Sequence, residues 1–252
     1  MTKQARHLTE RVFPTGVRVR QWVLSLPFDL RVRLAFHHDL VLALIRVTTE
    51  EIDRRYRDLA LAAGLASPRG GSVTAIHRAS GDLRPNVHLH GLHPDGAYGT
   101  DQKGRLHFHR APAPSPAEVA TILERIVKRA RGLLSLPDDE ADSLDGDELG
   151  LAQTYAAAAS STGTGRHGPD EETDGFIELS TRRKARLDGF DLDADVAVHE
   201  HDRERPEYLA AYVLRPPIAL DRVKLLGPST VCIELRRPWR DPTTHGPPPK
   251  YP

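Results

Sequence analysis

Cysteine is nearly missing from this sequence: Cys232 is the only one among 252 residues. One thiol cannot close an intrachain disulfide, and a cysteine-rich zinc module is excluded. A cytoplasmic setting is the natural expectation for such a chain. Long apolar runs are missing too. No stretch reaches the ~18 consecutive apolar residues of a membrane-spanning helix, so no membrane partner is expected. The opening residues, Met1 to His7, hold no apolar core and no small-residue cleavage site, which argues against a secretory signal. Net charge is also absent, since 35 Lys+Arg balance 35 Asp+Glu. No internal repeat is visible.

What is present suits a folded domain. Hydrophobic residues make up 39% and charged residues 28%, and the length allows one large domain or two small ones. The neutral total conceals a segregation. Residues 1–134 carry 21 basic against 12 acidic side chains, 135–175 carry 1 against 11, and 176–252 carry 13 against 12. A basic body favours polyanions such as nucleic acid.

Hydrophobic periodicity divides the chain further. Residues 19–27 read as a strand stopped by Pro27, and 28–36 as a short helix. A longer helix starts near Asp39, which can cap it, and carries Leu40, Leu44, Val47, Ile52 and Leu59 on one stripe. Pro68 to Gly71 mark a turn. Residues 72–80 and 84–93 read as two strands of a hairpin around Gly81-Asp82, with a further short strand at 105–109. Ser115, Pro116 and Glu118 predict a capped helix start, followed by Val119, Ile122, Leu123, Ile126, Val127 and Ala130 at helical spacing. The acidic stretch 135–175 loses all periodicity and reads as a disordered insertion. Strands are expected at 175–179, 193–198 and 231–235. A helix entered near Asp202 and Pro206 is stopped by Pro216-Pro217. Residues 246–252 are too proline-rich for regular structure. The fold class is therefore α+β. Its first part is 1–134, its insertion 135–175, its second part 176–245, and its irregular tail 246–252.

Two constellations carry chemistry. His88-Leu89-His90 lies on a predicted strand, where alternate residues share a face. The two imidazoles stand side by side and make half of a divalent-metal site. Six histidines (His77, His88, His90, His93, His107, His109) crowd this region, and His107-Phe108-His109 repeats the spacing. Tyr208 and Tyr212 are four apart on a predicted helix and share a face. A phenol of pKa about 10 is a poor nucleophile unless its target is polarised, which a nearby metal supplies. Together these are the parts for nicking single-stranded DNA through a phosphotyrosine link. A non-enzymatic chain that still binds single-stranded DNA through its basic part is an alternative. So is a metal-dependent hydrolase in which both His-x-His pairs line one cavity.

Five stretches in order make the sequence resemble the rolling-circle insertion-sequence transposases of the two-tyrosine HUH type, the IS-ninety-one-like group. They are residues 19–27, 86–92 with Asp95-Gly96, 189–192, 208–217 and 237–245. The resemblance implies a central antiparallel sheet flanked by helices, with the His-x-His strand in its middle. It implies His88 and His90 as metal ligands and Tyr208 and Tyr212 as nucleophiles. Asp193 stands where many relatives have a histidine, and as a third ligand its carboxylate would suit Mg²⁺ or Mn²⁺. The implied partner is single-stranded DNA at transposon ends, with no small-molecule cofactor. Relatives carry a cysteine-rich module before the Trp22 stretch and continue past His245, so the resemblance implies a core truncated at both ends.

Overall fold

A computed structural model describes residues 3–13, 16–79, 85–134, 178–179, 182–199, 202, 205–215, 218, 220–227, 230–235 and 245–246. The acidic stretch 135–175, Trp239 and the tail beyond Gly246 lie outside the described residues. Helix α1 (Lys3–His7) runs into a π-helical turn (Leu8–Val12), and β1 (Val19–Ser25), α2 (Phe28–Phe36) and α3 (His38–Ala62) follow. Next come β2 (Ala66–Arg69), β3 (Val73–Ala79), β4 (Pro85–Pro94), β5 (Gly96–Thr100), β6 (Leu106–Arg110) and α4 (Pro116–Leu134). The remainder comprises β7 (Glu178–Leu179), β8 (Lys184–Leu187), β9 (Phe190–Asp193), β10 (Ala197–Val198), α5 (Arg205–Val213), β11 (Val223–Gly227), β12 (Thr230–Glu234) and β13 (His245–Gly246). None of the described helices is long and apolar enough to cross a membrane.

The architecture is α+β, with a central antiparallel sheet in the order β3-β4-β1-β9-β8-β7 and β10 beside β1. Alternation along these strands creates two unlike faces. On one face Trp22 and Leu24 of β1, Val87 and Leu89 of β4, Leu187 of β8 and Phe190 and Leu192 of β9 are buried against α3 and α4. The apolar stripe of α4 (Val119, Leu123, Ile126, Val127) supplies the opposing layer. Its start is the expected capping box: Glu118 N–H donates to Ser115 Oγ (3.2 Å), and Ser115 N–H donates to Glu118 Oε2 (2.7 Å). The cap expected at Asp39 is not formed. Helix α3 begins at His38, and Asp39 sits inside its first turn.

A buried polar network stitches this layer to the sheet. Asp95, fully buried, accepts from Arg20 Nη2 (2.8 Å) and from the Tyr56 hydroxyl (3.0 Å), and Trp22 Nε1–H donates to Tyr56 Oη (3.2 Å). Burial first, and the Asp95 charge second, push the Tyr56 phenol far above its ordinary value, so it stays protonated and can donate to Asp95. The network clamps the end of β4 to β1, which keeps the His-x-His strand in register.

Two elements depart from the sequence expectations. Pro68 reads as a turn residue, yet it lies in β2, which forms a separate three-stranded sheet with β5 and β6. The expected strand over 193–198 splits into β9 and β10, and β9 pairs with β8 across a tight turn at Asp188 (φ 50°) and Gly189 (φ 74°). Two successive left-handed residues are what a two-residue hairpin with the strand twist requires. An Asp-Gly pair between alternating segments is the available signal.

Candidate metal and tyrosine site

The second sheet face carries the chemistry. In β4, His88 and His90 project from it, as strand alternation requires. The registers His77↔His88 and Ala75↔His90 bring β3 alongside, so His77 shares that face. Val23 of β1 lies opposite His90, and Gln21 is its diagonal neighbour. Ring centroids are 4.9 Å apart for His88 and His90, 4.3 Å for His77 and His90, and 5.1 Å for His77 and His88. One nitrogen from each ring falls within 4.8 Å of the other two, a group able to hold a metal ion. Bonds of about 2.1 Å to imidazole nitrogens need neighbouring ligand atoms roughly 3–3.5 Å apart.

Each ring has its second nitrogen engaged elsewhere. His88 Nδ1–H donates to the Asn86 carbonyl (2.6 Å), which leaves Nε2 with a lone pair. His77 Nε2–H donates to the Val213 carbonyl (2.8 Å), which leaves Nδ1 free. His90 Nδ1 meets the Gln21 amide at 2.7 Å. With the amide nitrogen towards the ring, His90 Nε2 would carry its hydrogen into a buried position without a partner. With the amide reversed, Gln21 Oε1 accepts Nδ1–H and Nε2 becomes a free lone pair. A buried nitrogen with no partner, 3% exposed as a residue, is a position that an ion or a water can complete.

The electrostatics agree. Burial first, then the fields of His77 and His88, lowers the His90 pKa to about 3. Burial also lowers His88, assisted by His77 and by Arg31, against the opposing effect of the Asn86 bond. Both rings are thus held uncharged near neutral pH, the form that ligates.

Helix α5 covers one end of this face. Leu209 and Val213 pack on Val19, Leu92 and Val198, with Ala75 and Phe13 at the edge. Tyr212, on the side of the helix beside that apolar stripe, is 55% exposed. Its ring centroid is 5.8 Å from that of His90 and 6.5 Å from that of His77. Tyr208 belongs to the same helix, but its side chain lies outside the described residues.

Not every sequence candidate arrives at the site. Asp193 is opposite Val23 on β9, two strands away from His90, a separation of about 10 Å at ordinary strand spacing. Its Oδ1 accepts the Asp195 N–H (2.9 Å). The group able to hold an ion is completed by His77 and does not include Asp193, because β3 adjoins the His-x-His strand and β9 does not. The sequence holds the signal for this: a hairpin turning at 81–82 puts odd residues of β3 on the face of even residues of β4. The other three histidines of that crowded region are elsewhere. His93 is on the opposite face against Asp53 (3.3 Å). His107 and His109 belong to the separate sheet, where His107 meets Asp101 (3.0 Å). That removes the two-pair hydrolase cavity.

Comparison with curated proteins and with solved structures returns no match. A family model described as "Putative transposase" matches residues 71–246. That range takes in both strands of the histidine cluster and the tyrosine helix, and it covers more than half of the sequence. The chain belongs to this transposase family.

Proposed function

We propose that this transposase nicks single-stranded DNA at transposon ends and transfers the strand through a 5′-phosphotyrosine, as in rolling-circle transposition of the HUH type. The observation that carries the reading is the position of Tyr212: an exposed phenol beside three converging imidazoles on one sheet face.

The chain's own residues prepare the reaction. Asn86, Gln21 and Val213 hold the outer nitrogens of His88, His90 and His77, which fixes the rings and their tautomers. A bound divalent ion would neutralise charge on the scissile phosphate and polarise it for attack. Three nitrogen donors favour a transition ion over Mg²⁺, which prefers oxygen. Of the two ions expected from the sequence, Mn²⁺ is the better fit. The charge of Arg31 also reaches His88 and lowers its pKa. Helix α5 presents Tyr212 to the same space. The Tyr212 Oη attacks phosphorus, the P–O3′ bond breaks, and the 3′-oxygen leaves and takes up a proton, while the phenol proton passes to solvent. One phosphodiester replaces another, so the strand can be rejoined by the reverse exchange. Tyr208 on the same helix would serve a second transfer before the first is resolved.

The test uses a single-stranded oligonucleotide carrying a transposon end, labelled on the 5′ side and on the 3′ side in separate reactions with Mn²⁺. The protein should retain the fragment downstream of the nick and release the other with a free 3′-hydroxyl. Binding without any adduct would leave the DNA-binding alternative in place. An adduct surviving Tyr208→Phe with Tyr212→Phe would reject the tyrosine chemistry.

A further inference from the structure

His77 touches both halves of the site. Its ring stands within the imidazole cluster, its centroid 4.3 Å from that of His90. Its Nε2–H is bonded to the carbonyl of Val213 at 2.8 Å. Val213 directly follows Tyr212 and is the last residue of α5.

That carbonyl belongs to the final turn of a helix, where C=O groups have no partner within the helix. Its neighbours are satisfied locally: Ala210 C=O by Leu214 N–H (2.9 Å) and Tyr212 C=O by Arg215 N–H (3.3 Å). Val213 C=O instead takes its hydrogen from the sheet. Among the described residues this is the hydrogen bond that joins α5 to the central sheet. The helix has nine residues, too few to be stable alone in water. Its seating therefore depends on its surroundings: this bond, the small apolar patch under Leu209 and Val213, and the packing of α1 and the π-helical turn against it.

We propose that His77 couples the two: one ring nitrogen joins the cation, the other holds the last carbonyl of the tyrosine helix, and cation loading therefore seats the nucleophile. The inference rests on the metal site proposed above. A ligated imidazole is fixed in orientation, and its remaining N–H is a stronger donor because electron density is drawn to the metal. Loading the cluster strengthens the tether to Val213. Linkage requires the reverse as well: a seated helix orders His77 and raises affinity for the ion by the same factor. His77 is in this respect a positioning residue for Tyr212, beyond its place among the ligands.

The test measures two quantities on the full chain. Isothermal titration with Mn²⁺ gives the affinity, and amide hydrogen exchange over residues 205–215 gives the seating of the helix. Saturating Mn²⁺ should slow exchange there by about 5- to 10-fold, at the lower end of usual coupling factors. In His88→Gln, where the tether is intact but the ion is poorly held, Mn²⁺ at that concentration should leave exchange unchanged. Leu209→Ala, which removes packing and no donor atom, should weaken Mn²⁺ binding several-fold; a merely structural role for Leu209 would not move it. If Mn²⁺ binds the wild-type chain and exchange over 205–215 does not change, the coupling is overturned while the metal site stands. If titration shows no Mn²⁺ binding, the metal site itself fails. These two results are both read on the wild-type chain, so neither depends on a variant folding.

Discussion

Replacing Gln21 tests the proposed metal site through the outer nitrogen of His90. Gln21 lies on β1, is 5% exposed, and holds His90 Nδ1 at 2.7 Å. Leucine has nearly the same volume but neither accepts nor donates. Gln21→Leu therefore leaves Nδ1 buried without a partner, a loss of about 1–3 kcal/mol before any gain from the added apolar surface. The effect on the ion is the more telling one. Without an acceptor for Nδ1–H, the imidazole no longer prefers the tautomer with a free Nε2, and the ring is free to turn. Loss of such an outer partner ordinarily weakens a metal site 10- to 100-fold, and that is the fall expected in Mn²⁺ affinity by titration calorimetry. Gln21→Glu is the informative counterpart. A carboxylate only accepts, so it selects the ligating tautomer; the metal-free protein loses stability from the buried charge, but Mn²⁺ affinity holds or rises. Gln21→Leu with wild-type affinity would refute the reasoning, since Nδ1 would then have no part in fixing the ligand.

Two more outcomes rest on the same structure. The metal-free protein should lose stability as pH falls from about 6.5, with the slope continuing towards about 3, because His90 binds fewer protons folded than unfolded throughout that window; His88 adds to the slope in the same direction. Denaturant midpoints measured at pH 7.5 and pH 5 check this, and equal midpoints would contradict the buried neutral pair. Asp95→Ala leaves Arg20 buried without its carboxylate, at a cost of about 3–5 kcal/mol. For a chain of this size that lowers Tm by roughly 6–20 °C, and a shift under about 2 °C would show that the network is not what clamps β4 to β1.

The parts that are legible in the sequence share a physical origin. Strand β1 ends before Pro27, α4 opens at its Ser115 and Glu118 box, and the β3–β4 hairpin carries His88 and His90 on one face, because each is written in local periodicity and punctuation. The tyrosine helix is readable for the same reason, bounded by prolines on both sides. Elements that escape such reading are set by partners distant in the chain. Strand β5 begins at Gly96, where a Cβ would sit 2.1 Å from the His109 carbonyl; only the approach of β6 explains that glycine. Asp39 resembles a cap from its position alone, yet α3 starts one residue earlier at His38.

The site divides along the same line. His88 and His90 declare themselves by spacing, but the third member requires knowing which strand adjoins theirs. Asp193 has a claim through resemblance, and the sheet order places β1 between it and the histidines. His77 is visible as one of six clustered histidines; what singles it out is the pairing register. Gln21 lies in a stretch that carries the resemblance, but nothing in its spacing marks it for the site, and only its diagonal position next to His90 gives it a role.

The most direct measurement is peptide mapping of the protein after reaction with a transposon-end oligonucleotide and Mn²⁺. Mass spectrometry should find a nucleotide bonded through a 5′-phosphate to Tyr212 or Tyr208, and that adduct should vanish when His88 and His90 are both changed to Ala. A cleaved strand with every tyrosine unmodified, or an adduct that persists without those imidazoles, would contradict the convergence of phenol and metal site on one phosphate.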